Sequence, residues 1–263
     1  MNLNLKSRNA LVIAASSGLG AACAEALSGE GANVAICSRD LDRIRGAAAA
    51  MEKKTGNPVL PITADISDLG SVEELAGRVK SELGAPDILV TNCGGPPPGD
   101  FKDLSRTQWE EGISGVLVSV LDLCRAFIPS MAAKGWGRVV MVTSVSAKHP
   151  IDGLMVSNTL RSGLLGLARS LSREYGPQGV LVNCVLPGFM ATQRLNQLAA
   201  ERAAKAGISE KALRAGWEAD IPLRRIADPA ELGDVVAFLC SERASYVTGS
   251  AIMVDGGYSR GLP

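Results

Sequence analysis

Metal-binding chemistry has almost nothing to work with in this sequence. It holds one histidine, His149, in 263 residues, and its six cysteines (Cys23, Cys37, Cys93, Cys124, Cys184 and Cys240) form no C-x-x-C pair. Structural metal sites need several thiolate or imidazole ligands at close spacing, so no metal centre is expected. Several cysteines fall inside apolar, strand-like runs, which predicts buried, reduced thiols. Charge of one sign is missing too: 27 basic and 27 acidic residues cancel, and no Lys/Arg cluster exceeds a pair. That balance argues against a nucleic-acid or anionic-membrane surface and leaves a small molecule as the expected partner. The longest apolar runs, such as 115–121 and 139–142, fall far short of the roughly 20 residues of a membrane helix, so no spanning segment is expected. The N-terminal MNLNLKSRNALVIAA has only a short apolar run before Ser16 and no cleavage pattern, and it is read as the approach to a first strand, with a cytoplasmic location.

What is present is alternation. With 46% hydrophobic residues and no shift of composition along the chain, a single domain with a full core is expected. Short β-branched runs recur at 10–14, 33–37, 59–63, 87–91, 137–143, 180–187 and 251–255, separated by helical stretches. Continuous apolar strands with intervening helices predict an α/β, doubly wound, seven-stranded parallel sheet with helices on both faces. Ligands of such sheets bind beyond the carboxyl ends of the strands. The residues there are Ala14-Ala15-Ser16-Ser17-Gly18-Leu19-Gly20, Ser38-Arg39-Asp40, Ala64-Asp65-Ile66, Asn92-Cys93-Gly94-Gly95, Ser144-Val145-Ser146 and Pro187-Gly188-Phe189. Any one of these is an ordinary turn residue; six consecutive strand ends of this kind point to a site. Between Thr192 and Ile221 a polar, alanine-rich stretch, broken at Gly207 and restarted at Ser209, predicts two short helices. Two readings of this insert stand: a lid over the ligand crevice, or an inert helical cover.

In motif order as well as content the chain resembles the short-chain dehydrogenase/reductase family along nearly its whole length. IAASSGLG resembles the family's Thr-Gly-x-x-x-Gly-x-Gly loop, with Ile13 and Ala14 in place of the threonine and first glycine and with Gly18 and Gly20 kept. It follows a strand and opens a helix, the context a dinucleotide loop requires. The resemblance implies a single-domain Rossmann fold whose helix N-terminus meets a pyrophosphate, with Ser16, Ser17 and Leu19 in the same loop. An alanine at 14 fits if its φ stays negative, in which case cofactor binding is weakened or re-aimed rather than lost. After the second strand the family's acidic position holds Ser38, followed by Arg39. A guanidinium suits a 2′-phosphate and the serine removes an acid's repulsion, so NADP(H) is favoured, with NAD(H) the alternative. TNCG (91–94) resembles the family's Asn-Asn-Ala-Gly segment, PGFMAT (187–192) its Pro-Gly stretch ending on a nicotinamide-contacting threonine, and Asp65 and Ile66 take the adenine-contacting place.

The family's catalytic serine lies thirteen residues before its tyrosine, and Ser144 lies thirteen before Ser157. The resemblance therefore puts Ser157 at the tyrosine position, Arg161 at the lysine position and Val116 at the helix asparagine. An aliphatic hydroxyl is a far weaker acid than a phenol and shorter by a ring. Arg161 can grip ribose hydroxyls and supply fixed charge, but it stays protonated and relays nothing. Lys148 and His149, on the loop after Ser144, are the substitutes at hand; alternatively His149-Pro150 only makes a turn and Lys148 is a solvated charge. Asn158, about 100° round the helix from Ser157, is a further polar neighbour.

Three functions follow from the resemblance. The first is an NADP(H)-dependent, 3-oxoacyl reductase-like oxidoreductase of a small carbonyl or alcohol, with Ser144 orienting the substrate oxygen and a non-standard proton donor. The second is a dinucleotide-binding sensor or assembly subunit without hydride transfer. The third is a non-redox lyase similar to halohydrin dehalogenases, which keep the tyrosine and lose the nucleotide loop, the reverse of this chain. Family resemblance also implies a homo-oligomer, tetramer or dimer, to whose helix packing Gly163 and Gly166 are suited.

Overall fold

A computed structural model of the chain describes residues 2–261. Seven strands, β1 (Asn9–Ile13), β2 (Asn33–Ser38), β3 (Val59–Thr63), β4 (Ile88–Thr91), β5 (Gly137–Val142), β6 (Val180–Pro187) and β7 (Ala251–Val254), form one sheet in the order β3-β2-β1-β4-β5-β6-β7. Every pairing is parallel. Such pairing needs crossovers, and the helices that supply them are α1 (Gly18–Gly29), α2 (Leu41–Thr55), α3 (Leu69–Glu82), α4 (Arg106–Gly112), α5 (Ser119–Lys134), α6 (Met155–Tyr175), α7 (Gln193–Ala206), α8 (Glu210–Asp220) and α9 (Pro229–Cys240).

Side chains alternate across the sheet, so each strand feeds two cores. Leu11, Ile13, Val139 and Met141 pack with α3, α5 and α6 on one face; Ala10, Val12, Val140 and Val142 pack with α1, α2 and α9 on the other. Both faces are covered, which is why the strands read as continuous apolar runs rather than alternating ones. Strand order turns between β1 and β4: β1 to β3 run outward to one edge and β4 to β7 to the other. The loops leaving β1 and β4 therefore diverge and leave a crevice at the carboxyl end, where ligands of this architecture bind.

One expectation needs correction. α4 and α5 join through a π-helical segment, Ile113–Val118, into a single helix over Arg106–Lys134. By length and composition alone this helix is long and apolar enough to cross a membrane. Its polar interruptions hid it from a search for unbroken apolar runs. In the fold, Val116, Val120, Leu123, Cys124, Phe127, Ile128 and Met131 of this helix sit in the sheet's core.

The insert at 192–221 forms two helices, α7 and α8, each started by a side-chain cap. Thr192 accepts a hydrogen bond from the Leu195 N–H at 3.2 Å, and Ser209 from the Ala212 N–H at 3.2 Å. Gly207, left-handed at φ 66°, ends α7. All six cysteines are free and five are buried, with Cys93 half-buried. Burial pushes the thiols of Cys23, Cys37, Cys124 and Cys184 up to about 12.

Candidate functional site

The loop after β1 turns tightly. Ala14 has φ 51°, in the left-handed region, so the expectation of a negative φ is overturned: the turn imposes its geometry on alanine. Its carbonyl accepts from Asn92 Nδ2 at 3.4 Å, and Ala15 N–H donates to Cys37 O at 3.0 Å, which fixes the loop to β2 and β4. Since glycine takes this conformation without a Cβ penalty, Ala14→Gly is expected to raise stability by about 1 kcal/mol, the relief of strain exceeding the entropy glycine adds to the unfolded chain. A denaturant midpoint that fails to rise would contradict that strain.

Ser17 N-caps α1 with extended backbone and makes no side-chain capping bond, which leaves the first N–H groups of α1 to another acceptor. Ser16 precedes it in the same turn, Gly18 stands at φ 60°, and Leu19 packs toward the core. Across the crevice, the methyl of Thr192 lies 3.5 Å from where a Cβ on Gly18 would be. Pro187 closes β6, and Gly188 packs so closely on Asp255 that a Cβ there would come within 2.8 Å of it.

At the ends of β2 and β3, Ser38 Oγ donates to Asp40 O at 3.2 Å and Arg39 is exposed. Asp65 accepts from the Ser67 hydroxyl at 2.7 Å and its N–H at 3.0 Å. Those bonds, and then the positive charge of Arg39 nearby, hold the Asp65 carboxyl below its ordinary value. Ser38, Arg39, Asp65 and the half-buried Ile66 thus share one end of the groove, with Asn92 and Gly94 at the other side of the β1 loop.

The loop after β5 and the start of α6 form a second cluster. Ser144 N-caps the 3₁₀ turn Val145–Ala147, its Oγ accepting from Ser146 N–H at 3.1 Å. Ser157 is buried and its hydroxyl pairs with that of Ser146 at 3.0 Å. One turn on, the buried Arg161 donates through Nη1 to Val142 O at 3.3 Å and Thr143 O at 2.8 Å, and through Nη2 to Cys93 Sγ at 3.9 Å. Its positive charge meets carbonyl dipoles and a thiol, with no carboxylate among its partners in the described residues. Asn158 takes no part in this cluster; it pairs twice with the backbone of Ile151, at 3.1 and 3.0 Å, and so fixes the loop carrying His149. Val116 is buried in the π-helical segment.

The two groups proposed to replace a phenol part company. Lys148 is exposed, and its charge is felt by the buried Cys184 thiol of β6. His149 is half-buried, edge-on to Tyr258 with ring centroids 5.7 Å apart. Tyr258 meets Phe189 edge-on at 5.1 Å, and Phe189 stacks on Trp217 of α8 at 5.0 Å. This aromatic ladder joins the β5 loop, the β6 loop, the helical insert and the C-terminal segment. Of this ladder the sequence pointed only to Phe189, at the end of β6; Tyr258, Trp217 and also Arg194 of α7 were missed, the one available signal being the VDGGY stretch (254–258) that closes on Tyr258. Among the described residues no group of three His, Cys, Asp or Glu side chains stands close enough to hold a metal ion.

Comparison with known proteins places this arrangement. Residues 13–259 match the family profile described as enoyl-(acyl carrier protein) reductase. An uncharacterized short-chain type dehydrogenase/reductase of Sinorhizobium fredii is 33% identical over 258 residues, covering 96% of this chain and 98% of its own. The structure of L-sorbose reductase from Gluconobacter frateurii, complexed with NADPH and L-sorbose, superposes with a TM-score of 0.94 at 30% identity over 100% of both chains. An NADPH-bound short chain oxidoreductase from Pseudomonas aeruginosa PAO1, described as containing an atypical catalytic center, superposes with a TM-score of 0.88 at 31% identity, over 98% of this chain and 100% of that one.

Proposed function

Given that the chain belongs to the short-chain dehydrogenase/reductase family, we propose that it is an NADP(H)-dependent oxidoreductase of a small carbonyl or alcohol substrate, 3-oxoacyl reductase-like, whose proton donor is not the family's tyrosine. The observation that carries the cofactor assignment is the end of β2, where Ser38 stands at the family's acidic position, so that no acid there repels a 2′-phosphate, and the exposed Arg39 beside it puts a positive charge at this end of the groove, felt by Asp65. The groove fits the rest of a dinucleotide: α1 offers N–H groups that no side chain caps, Gly18 stands at the crevice beside Thr192, and Gly20 lets α1 pack closely on the loop after β1. NADPH-bound relatives, one of them with an atypical centre, support the same reading.

NADPH supplies the hydride when bound. In this reading Ser157 and Arg161 stand where the family has its tyrosine and lysine. Ser144 orients the substrate oxygen. Arg161, held on the carbonyls of Val142 and Thr143, keeps a fixed positive charge beside the crevice and a face for ribose hydroxyls. Ser157 is occupied by Ser146 and acts as support. His149 holds the proton that the reduced oxygen takes up, and Tyr258 and Asn158 fix its position, the first by ring contact and the second through Ile151. Thr192 and the two helices after it serve as the lid over about 192–221. Exposed Ile113 and Val118 on the long helix support association into a homo-oligomer, tetramer or dimer.

The second reading, a cofactor-binding sensor, is favoured by the Ser146–Ser157 pair, which puts a buried, weakly acidic aliphatic hydroxyl where the family has its tyrosine. Calorimetric titration with NADPH and NADH tests the cofactor assignment. NADPH is expected to bind roughly 10- to 100-fold more tightly, the worth of one charge-assisted contact. Absence of binding by either, or a preference for NADH, would overturn it.

A further inference from the structure

α7 lies across the place where the strand order turns. Its capping residue, Thr192, comes within 3.5 Å of a Cβ built on Gly18 in the loop after β1. Two residues on, Arg194 reaches the other wall: its Nε and Nη2 lie 3.3 and 3.5 Å from a Cβ built on Gly95, in the loop after β4. β1 and β4 are neighbours in the sheet, so the stretch 192–194 bridges the crevice between them. A guanidinium has been placed over a wall without side chains, for Gly94 and Gly95 are both exposed and a Cβ on Gly94 would meet nothing within 4 Å.

Arg194 differs from the other arginines of the insert. Arg202 donates to Asp152 O at 2.9 Å and Arg214 to Asn196 Oδ1 at 2.7 Å. None of the six ion pairs among the described residues includes Arg194. Arg194 is exposed, with its planar fork beside Gly95 and its charge unanswered by any carboxylate among the described residues, an arrangement that suits a phosphate rather than a neutral sugar or carbonyl. The groove floor beneath it is the uncapped N-terminus of α1.

Resting on the cofactor reading above, we propose that Arg194 is a lid-borne clamp on the pyrophosphate of the dinucleotide. The clamp adds a charge-assisted contact to a loop that Ala14 leaves strained, and it makes the seating of α7 depend on the cofactor. The opposite end of α7 is already tied, through Arg202, to the loop after β5. Cofactor binding and closure over the substrate are then one event, since a phosphate held by Arg194 adds a contact at the N-terminal end of the same helix.

Titration of the full-length protein with NADPH and with NADH, for the wild type, Arg194→Gln and Arg194→Lys, tests the clamp. Both cofactors carry the pyrophosphate, so Arg194→Gln is expected to weaken both by the same factor, roughly 10- to 100-fold. Arg194→Lys restores part of the loss, and added salt narrows the difference between the wild type and the glutamine variant. Equal affinities of wild type and Arg194→Gln would overturn the clamp while leaving the cofactor reading intact. A loss confined to NADPH would overturn it too, by placing Arg194 at the 2′-phosphate. An unchanged cofactor affinity with a raised KM for an anionic carbonyl substrate would reassign Arg194 to substrate binding. A wild type that binds neither cofactor would overturn both proposals together.

Discussion

Alanine at Gly20 is expected to destabilise the fold by about 1–3 kcal/mol, the range of an overpacked site, and to remove measurable NADPH binding. The added Cβ would stand 2.4 Å from Ala14 O and 3.0 Å from Ala15 Cα, both backbone atoms. Neither can step aside: the Ala14 carbonyl is held by Asn92, and Ala15 N–H is bonded to Cys37 O. The helix must move instead, carrying its first N–H groups away from the phosphate they are proposed to meet. Helix propensity favours alanine over glycine by about 1 kcal/mol, and this contact reverses the sign. Gly29 supplies the control, because a Cβ there would meet nothing within 4 Å and Gly29→Ala is expected to be neutral or stabilising. A thermal melt and an NADPH titration of both variants check the pair; a Gly20→Ala protein that melts and binds like wild type would refute the close approach.

The second large effect concerns the proton. Replacing His149 by alanine is expected to lower turnover of a carbonyl substrate by roughly 10²- to 10⁴-fold, the usual worth of a positioned acid, with NADPH affinity unchanged. Lys148→Ala is expected to cost little, since that side chain is exposed and its charge is felt at Cys184. Few groups that the fold brings to the end of β5 can give up a proton. The hydroxyls of Ser144 and Ser157 are far weaker acids than a phenol, and Arg161 cannot give up its proton. Of the two side chains left on that loop, Lys148 is exposed, whereas His149 is half-buried, set against Tyr258 and on a loop that Asn158 holds. Steady-state kinetics of Lys148→Ala, His149→Ala and the double variant separate the two. Turnover by the double variant equal to wild type would remove both from the mechanism.

Much of the fold was legible because its signals are local. The runs 59–63 and 180–187 are β3 and β6 to the residue, and the other strands differ only at their ends, where backbone pairing rather than composition decides the boundary. The two helices of the insert could be read from Gly207 and Ser209, since capping is done by side chains a few residues from the bonds they satisfy. What could not be read depends on partners distant in sequence. Ala14 as a letter says negative φ; the turn between β1 and α1 says otherwise. The engagement of Ser157 by Ser146 needs α6 laid against the β5 loop. Tyr258 reaches His149 only because β7 joins the sheet beside β6. The continuous helix over Arg106–Lys134 was concealed for a different reason: its apolar residues are spaced for one buried face, so no unbroken run records its length.

The central claim is the proposed one, that this groove serves hydride transfer with a proton donor other than the family's tyrosine. It is tested most directly by incubating the protein with NADPH deuterated at the transferable C4 position and a panel of small carbonyl compounds, including a 3-oxoacyl thioester, and examining the alcohols by mass spectrometry. The account predicts an alcohol carrying one deuterium at the former carbonyl carbon, and its loss in the His149→Ala variant. Tight NADPH binding with no deuterium in any product across that panel would contradict the claim and favour the sensor.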